Sequence, residues 1–140
     1  MRSRKQAKGS KPRIVLDGRV YLIRLWIDDR SVYKVGVTAG TVARRVLGII
    51  ESVWQGYGYF PMVEIVGEWR TRNHYDVEGS VHQVLREKGY GYRSRNDFSG
   101  SSELFDGIAL DILVALIKES IDRDDEVSEE SIDRISVAMD

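Results

Sequence analysis

Along the middle of this chain stand, in order, the phenol of Tyr21, the ammonium of Lys34, the guanidinium of Arg44, the carboxylate of Glu78 and the imidazole of His82. Together they offer what metal-assisted cleavage of a phosphodiester bond requires. A phenol can orient or deprotonate a water molecule. A guanidinium matches two phosphate oxygens and stays charged at any working pH. A carboxylate suits magnesium or manganese, which keep several waters and complete their shell with substrate phosphate. An imidazole can donate or shuttle a proton near neutrality. None of these residues is diagnostic alone, because a strand tyrosine or a surface arginine on a helix is ordinary. The weight rests on their order and spacing.

The elements that must hold them follow from hydrophobic period. Val20 to Ile27 is apolar on both faces apart from Arg24, which predicts a strand covered on two sides. Asp28-Asp29-Arg30-Ser31 supplies turn residues, and Ser31 to Val37 returns as the second arm of a hairpin. Side chains alternate along a strand, so an even-length turn puts Lys34 on the face of Tyr21 and Tyr33 on the other. From Thr41 onward, Val42, Val46, Ile49, Ile50 and Val53 recur at helical spacing, with Thr38 or Thr41 as N-cap. Met62 to Trp69 predicts a third strand with Glu64 and Glu68 on one side, and Asn73 to Lys88 a second helix. On that helix His82 lies one turn after Glu78, on the same face. A third helix is expected over Leu104 to Ile117, capped by Ser101 or Ser102, with Glu103 facing its dipole. The fold class is α+β: a three-stranded, mainly antiparallel sheet flanked by helices.

The residues Arg19-Val20-Tyr21 and Tyr33-Lys34-Val35-Gly36, with Arg44 and Glu78 beyond them, resemble the motifs of the GIY-YIG nuclease superfamily. The likeness is greatest to its small phage and prokaryotic branch, whose second motif reads Tyr-Lys-Ile/Val-Gly. It spans nearly all of the expected core. Two departures stand out: Arg19 replaces the glycine of the first motif, and Lys34 takes the place of the second tyrosine. The resemblance implies that Tyr21 activates water, with help from a neighbouring cation because a phenol is a weak base near neutrality. It implies that Lys34 tunes or positions, that Arg44 rather than Arg45 holds the phosphate, and that Glu78 carries Mg2+ or Mn2+ with His82 assisting. It also suggests a role for an asparagine after the glutamate helix, for which Asn96 is the candidate in the Gly89 to Ser102 loop. His74 has no matching role and reads as a surface residue near a helix start.

Charge is distributed unevenly behind a formal net charge of −1. Residues 1–18 form a basic arm with Lys5, Lys8 and Lys11 among its cations, expected to be disordered when free and to follow a nucleic-acid backbone. Residues 19–121 are the expected nuclease domain, and residues 122–140 an acidic tail or short helix. Arg45, Arg93 and Arg95 are further candidates for nucleic-acid contact, with Tyr90 and Tyr92 as stacking surfaces. The absence of cysteine excludes disulfide scaffolds, thiolate zinc sites and cysteine nucleophiles. No apolar run is long enough to span a bilayer and no secretory leader is evident, so a cytoplasmic protein is expected. The expected activity is a divalent-metal-dependent DNA endonuclease, alone or as a homodimer, with no small-molecule cofactor. The alternatives are an inactive binding module on the same fold, or a small regulatory protein that uses its acidic tail.

Overall fold

A computed structural model describes residues 18–139, and the side chains of residues 18–125. Strands β1 (Gly18–Ile27) and β2 (Arg30–Thr38) form a hairpin, followed by α1 (Val42–Tyr57), β3 (Met62–Thr71) and α2 (His74–Glu87). Two short strands, β4 (Gly91–Tyr92) and β5 (Leu104–Phe105), precede α3 (Leu110–Met139). The result is an α+β domain on an antiparallel sheet of order β3-β1-β2-β5-β4. Among the described residues no helix is long and apolar enough to cross a membrane.

The hairpin turn consists of Asp28 and Asp29, both left-handed with φ of 54° and 62°. Two such residues give the turn whose twist matches the flanking strands, and short polar side chains tolerate it. The even turn sets Ile23 opposite Lys34 and Tyr21 opposite Gly36, so Tyr21 and Lys34 do share a face. β1 is apolar on both sides because each side has its own core. Tyr21, Ile23, Leu25 and Ile27 pack under Val42, Val46, Ile49 and Val53 of α1. Val20 and Leu22 pack with Val77, Val81 and Leu85 of α2 and with Leu113, Ile117 and Ile121 of α3. Both helical sets recur every three or four residues, as one buried helix face demands.

Several expectations change here. The sheet has five strands rather than three, because Leu104 and Phe105 extend a ladder instead of opening a helix. As neighbours in a strand they point to opposite faces, Leu104 into the α1 core and Phe105 into the other. Gly107, at φ 85°, then turns the chain into a conformation no helix contains, so α3 starts at Leu110. Ser101 and Ser102 lie in a single 3-10 turn and do not cap α3. The acidic stretch from Asp122 continues α3 as far as Met139. A bulge at Val66 shifts the β1–β3 register, so Glu64 and Glu68 lie on opposite faces, pairing with Arg24 and Arg19. His74 is buried rather than exposed, packed against Tyr75, and neither ring nitrogen has a hydrogen-bond partner among the described residues.

Candidate active site

The site is assembled at the Gly36 end of the hairpin, where the β5 ladder stops. Tyr21 is fully buried, and its phenol lies across β2 at Gly36. A Cβ at position 36 would fall 2.4 Å from the phenol oxygen, so the glycine is what allows the ring to lie there. The phenol oxygen accepts from Arg45 Nε at 3.4 Å. Arg44 is exposed, and its backbone N–H bonds to the N-cap Thr41 Oγ1 at 3.2 Å. Helix phase explains the exchange: at 100° per residue, Arg45 lies about 70° from the centre of the buried stripe of α1 and Arg44 about 170° away. The arginine favoured by spacing therefore faces solvent, and its neighbour reaches the phenol.

Lys34 is also fully buried, covered by β5 rather than lying at a sheet edge. Its Nζ donates to Glu103 Oε1 at 2.6 Å and sits 5.8 Å from the centroid of the Tyr21 ring. Glu103 is the residue that sequence reasoning missed. It immediately precedes β5, whose Leu104 pairs with Lys34, so strand pairing brings the carboxylate to the ammonium. The only sequence signal was an acidic residue beside an apolar pair, which reads equally well as a helix-dipole partner.

Glu78 and His82, one turn apart on α2, complete the cluster. One donor atom from each of Glu78, His82 and Glu103 lies within 4.8 Å of the others. Octahedral donors at about 2.1 Å from a central ion are separated by at most about 4.2 Å, so this set needs only a small contraction to hold a divalent cation. Two carboxylates and an imidazole suit manganese better than magnesium, which prefers oxygen donors throughout, with the remaining positions left to water and phosphate. His82 Nε2 lies 2.7 Å from the Val35 carbonyl oxygen. A carbonyl can only accept, so Nε2 carries the hydrogen and Nδ1 keeps the lone pair. That carbonyl is available because β5 pairs with β2 only at Tyr33 and Lys34.

Burial is the largest influence on both Glu78 and His82. Burial raises the Glu78 pKa, and the Glu103 charge raises it further, against the lowering effects of Lys34, Arg45 and Arg86. Burial lowers the His82 pKa, outweighing the Val35 hydrogen bond and the Glu103 charge, which favour the cation. The imidazole is thus neutral near pH 7, the form that can ligate.

Other candidates lie elsewhere. Asp28 accepts from Tyr57 Oη at 2.9 Å, Tyr92 Oη at 2.7 Å and the Arg95 backbone N–H at 3.0 Å. This ties the loop after α2 to the hairpin turn, at the opposite end of β2 from Gly36. Tyr92 is therefore no free stacking surface, and Tyr90 packs on the α2–α3 core. The Arg95 guanidinium is exposed and 3.6 Å from Asp29, and Arg93 is exposed. Asn96 donates its side-chain amide to the Gly56 carbonyl near the end of α1, remote from the phenol. Lys5, Lys8 and Lys11 lie outside the described residues.

In this α+β domain a phenol, two cations and a carboxylate–imidazole cluster therefore converge at the Gly36 end of the β1–β2 hairpin. Residues 18–122 match the T5orf172 domain, and the chain belongs to that family, a phage-associated domain found in endonuclease-related proteins. No curated protein and no solved structure matches the chain.

Proposed function

We propose that this protein is a divalent-metal-dependent endonuclease of GIY-YIG type that hydrolyses DNA. The observation that carries this reading is the convergence of Tyr21, Lys34, Arg45, Glu78 and His82 at one end of the β1–β2 hairpin. The Tyr21 oxygen, acting as the phenolate, orients the attacking water and takes its proton, returning to the phenol. Arg45, whose Nε donates to that oxygen at 3.4 Å, presents its fork to the phosphate, the role that spacing gave to Arg44. Lys34, 5.8 Å from the ring centroid, adds a second positive charge that favours the negative charge growing on the phosphate oxygens. Glu78 and the Nδ1 of His82 would hold Mg2+ or Mn2+. When bound, the ion supplies positive charge to the pentacovalent transition state and the departing 3′ oxygen, leaving a 5′ phosphate. Exposed Arg44, Arg93 and Arg95, with the basic arm, supply sequence-independent attraction to the backbone.

The deciding experiment is time-resolved cleavage of plasmid and single-stranded DNA with Mg2+, Mn2+ or EDTA. Wild type is expected to cut only with metal, and folded Tyr21→Phe and Glu78→Ala to be slower by at least about a hundredfold. DNA binding without cleavage on any substrate or metal would replace the enzyme with a binding module.

A further inference from the structure

The charges of this site cancel without any ion. Glu78 and Glu103 face Lys34 and Arg45, and the tightest contact among them joins Glu103 Oε1 to Lys34 Nζ at 2.6 Å. Lys34 has no exposed surface. A Cβ at Gly100 would come within 2.9 Å of its Cε, so the backbone closes over the side chain. A buried ammonium needs a compensating partner, because burial leaves it without the water that would otherwise offset its charge. Yet Glu103 also contributes one of the three donors grouped within 4.8 Å. One carboxylate would therefore have to serve both the ammonium and any bound cation, which repel each other.

We propose that Glu103 is a metal ligand held in reserve by Lys34, so that the ammonium competes with the divalent cation until another anion occupies it. This rests on the nuclease reading and adds Glu103 to its metal ligands, with Lys34 controlling when that carboxylate is released. The second anion is a substrate phosphate, which exchanges with Glu103: Lys34 is fully buried and Glu103 partly exposed, so phosphate reaches the ammonium only as the carboxylate swings toward Glu78 and His82. The cation is then held firmly only where there is a backbone to cut. In the free protein the cation affinity is correspondingly weak. Lys34 thereby links substrate engagement to metal retention, a coupling that must be reciprocal.

The test is Mn2+ binding by the full chain without DNA, read by electron paramagnetic resonance or calorimetry. Glu103→Gln should weaken binding by about tenfold or more, and Lys34→Met should tighten it by a similar factor. Removing a positive charge could tighten binding by general attraction alone, so the double variant decides. If the two residues act through one carboxylate, Lys34→Met gains less than about twofold once Glu103 is glutamine. An undiminished gain overturns the proposal. Should either variant fail to fold, the wild-type chain suffices: saturating Mg2+ should shift or abolish the protected Lys34 ammonium resonance in nitrogen-15 spectra, and an unmoved resonance overturns it. Wild type that binds Mn2+ and cuts DNA while Glu103→Gln binds equally well removes this proposal alone. Wild type that neither binds Mn2+ nor cuts removes the nuclease reading with it.

Discussion

Tyr21 and Gly36 act as one unit, since the phenol occupies the volume that a side chain at position 36 would fill. Gly36→Ala should therefore lose as much cleavage as Tyr21→Phe, with stability reduced by about 1–3 kcal/mol from overpacking. Parallel rate and thermal-unfolding measurements check this. The arginines give a second contrast. Arg45→Ala should slow cleavage by at least about a hundredfold, whereas Arg44→Ala, on the solvent side of α1, should stay within about tenfold when both are assayed at saturating DNA. Tyr21, Lys34, Glu78 and His82 were legible as candidates because strand alternation and a single helical turn fix which residues share a side. A count of residues from Gly36 favours Arg44 over Arg45, although the apolar stripe of α1 already turns Arg45 toward the sheet and Arg44 away from it. Glu103 was hidden for a different reason: it meets Lys34 through a strand of two residues, too short to announce itself by periodicity.

The hairpin turn carries its own signature in pH. Burial opposes ionisation of Asp28, but hydrogen bonds from Tyr92, the Arg95 backbone and Tyr57, aided by the Arg95 charge, hold its pKa below the ordinary value. A carboxyl lowered on folding stabilises the native state fully above its unfolded pKa of about 3.9, and that contribution is lost as pH falls through the folded value. Asp28→Asn keeps a residue that tolerates the left-handed turn while removing the charge. It should cost about 2–3 kcal/mol at pH 7, with the difference from wild type shrinking as pH drops below about 4. Urea midpoints at pH 7 and pH 3 measure the change. The turn, α1 and α2 were readable from Asp-Asp, the Thr41 cap and the apolar stripes. The β4–β5 pair was not, since its pairing partners are tertiary and the apolar run Leu104 to Ile117 satisfies a helical period equally well.

At the scale of the whole molecule, charge is organised by region. The basic arm lies at one end of the sequence and the acidic part of α3 at the other, and a net charge of −1 conceals both. If the arm engages DNA, removing residues 1–13 should flatten the dependence of log affinity on log salt by up to about 0.9 for each phosphate that the arm neutralises, with little change in the rate of the chemical step. Fluorescence anisotropy across a salt series, beside single-turnover cleavage, separates the two effects.

The sheet also partitions the interior, and the catalytic candidates are recruited from both sides of it. Tyr21 and Arg45 depend on the layer under α1, while Glu78 and His82 ride on the layer formed by α2 and α3. Neither layer can loosen without scattering part of the site. Heat inactivation should therefore coincide with loss of tertiary structure, and protective osmolytes should delay both together. A preparation that retains half its activity would contain half its molecules intact, rather than all of them half-damaged.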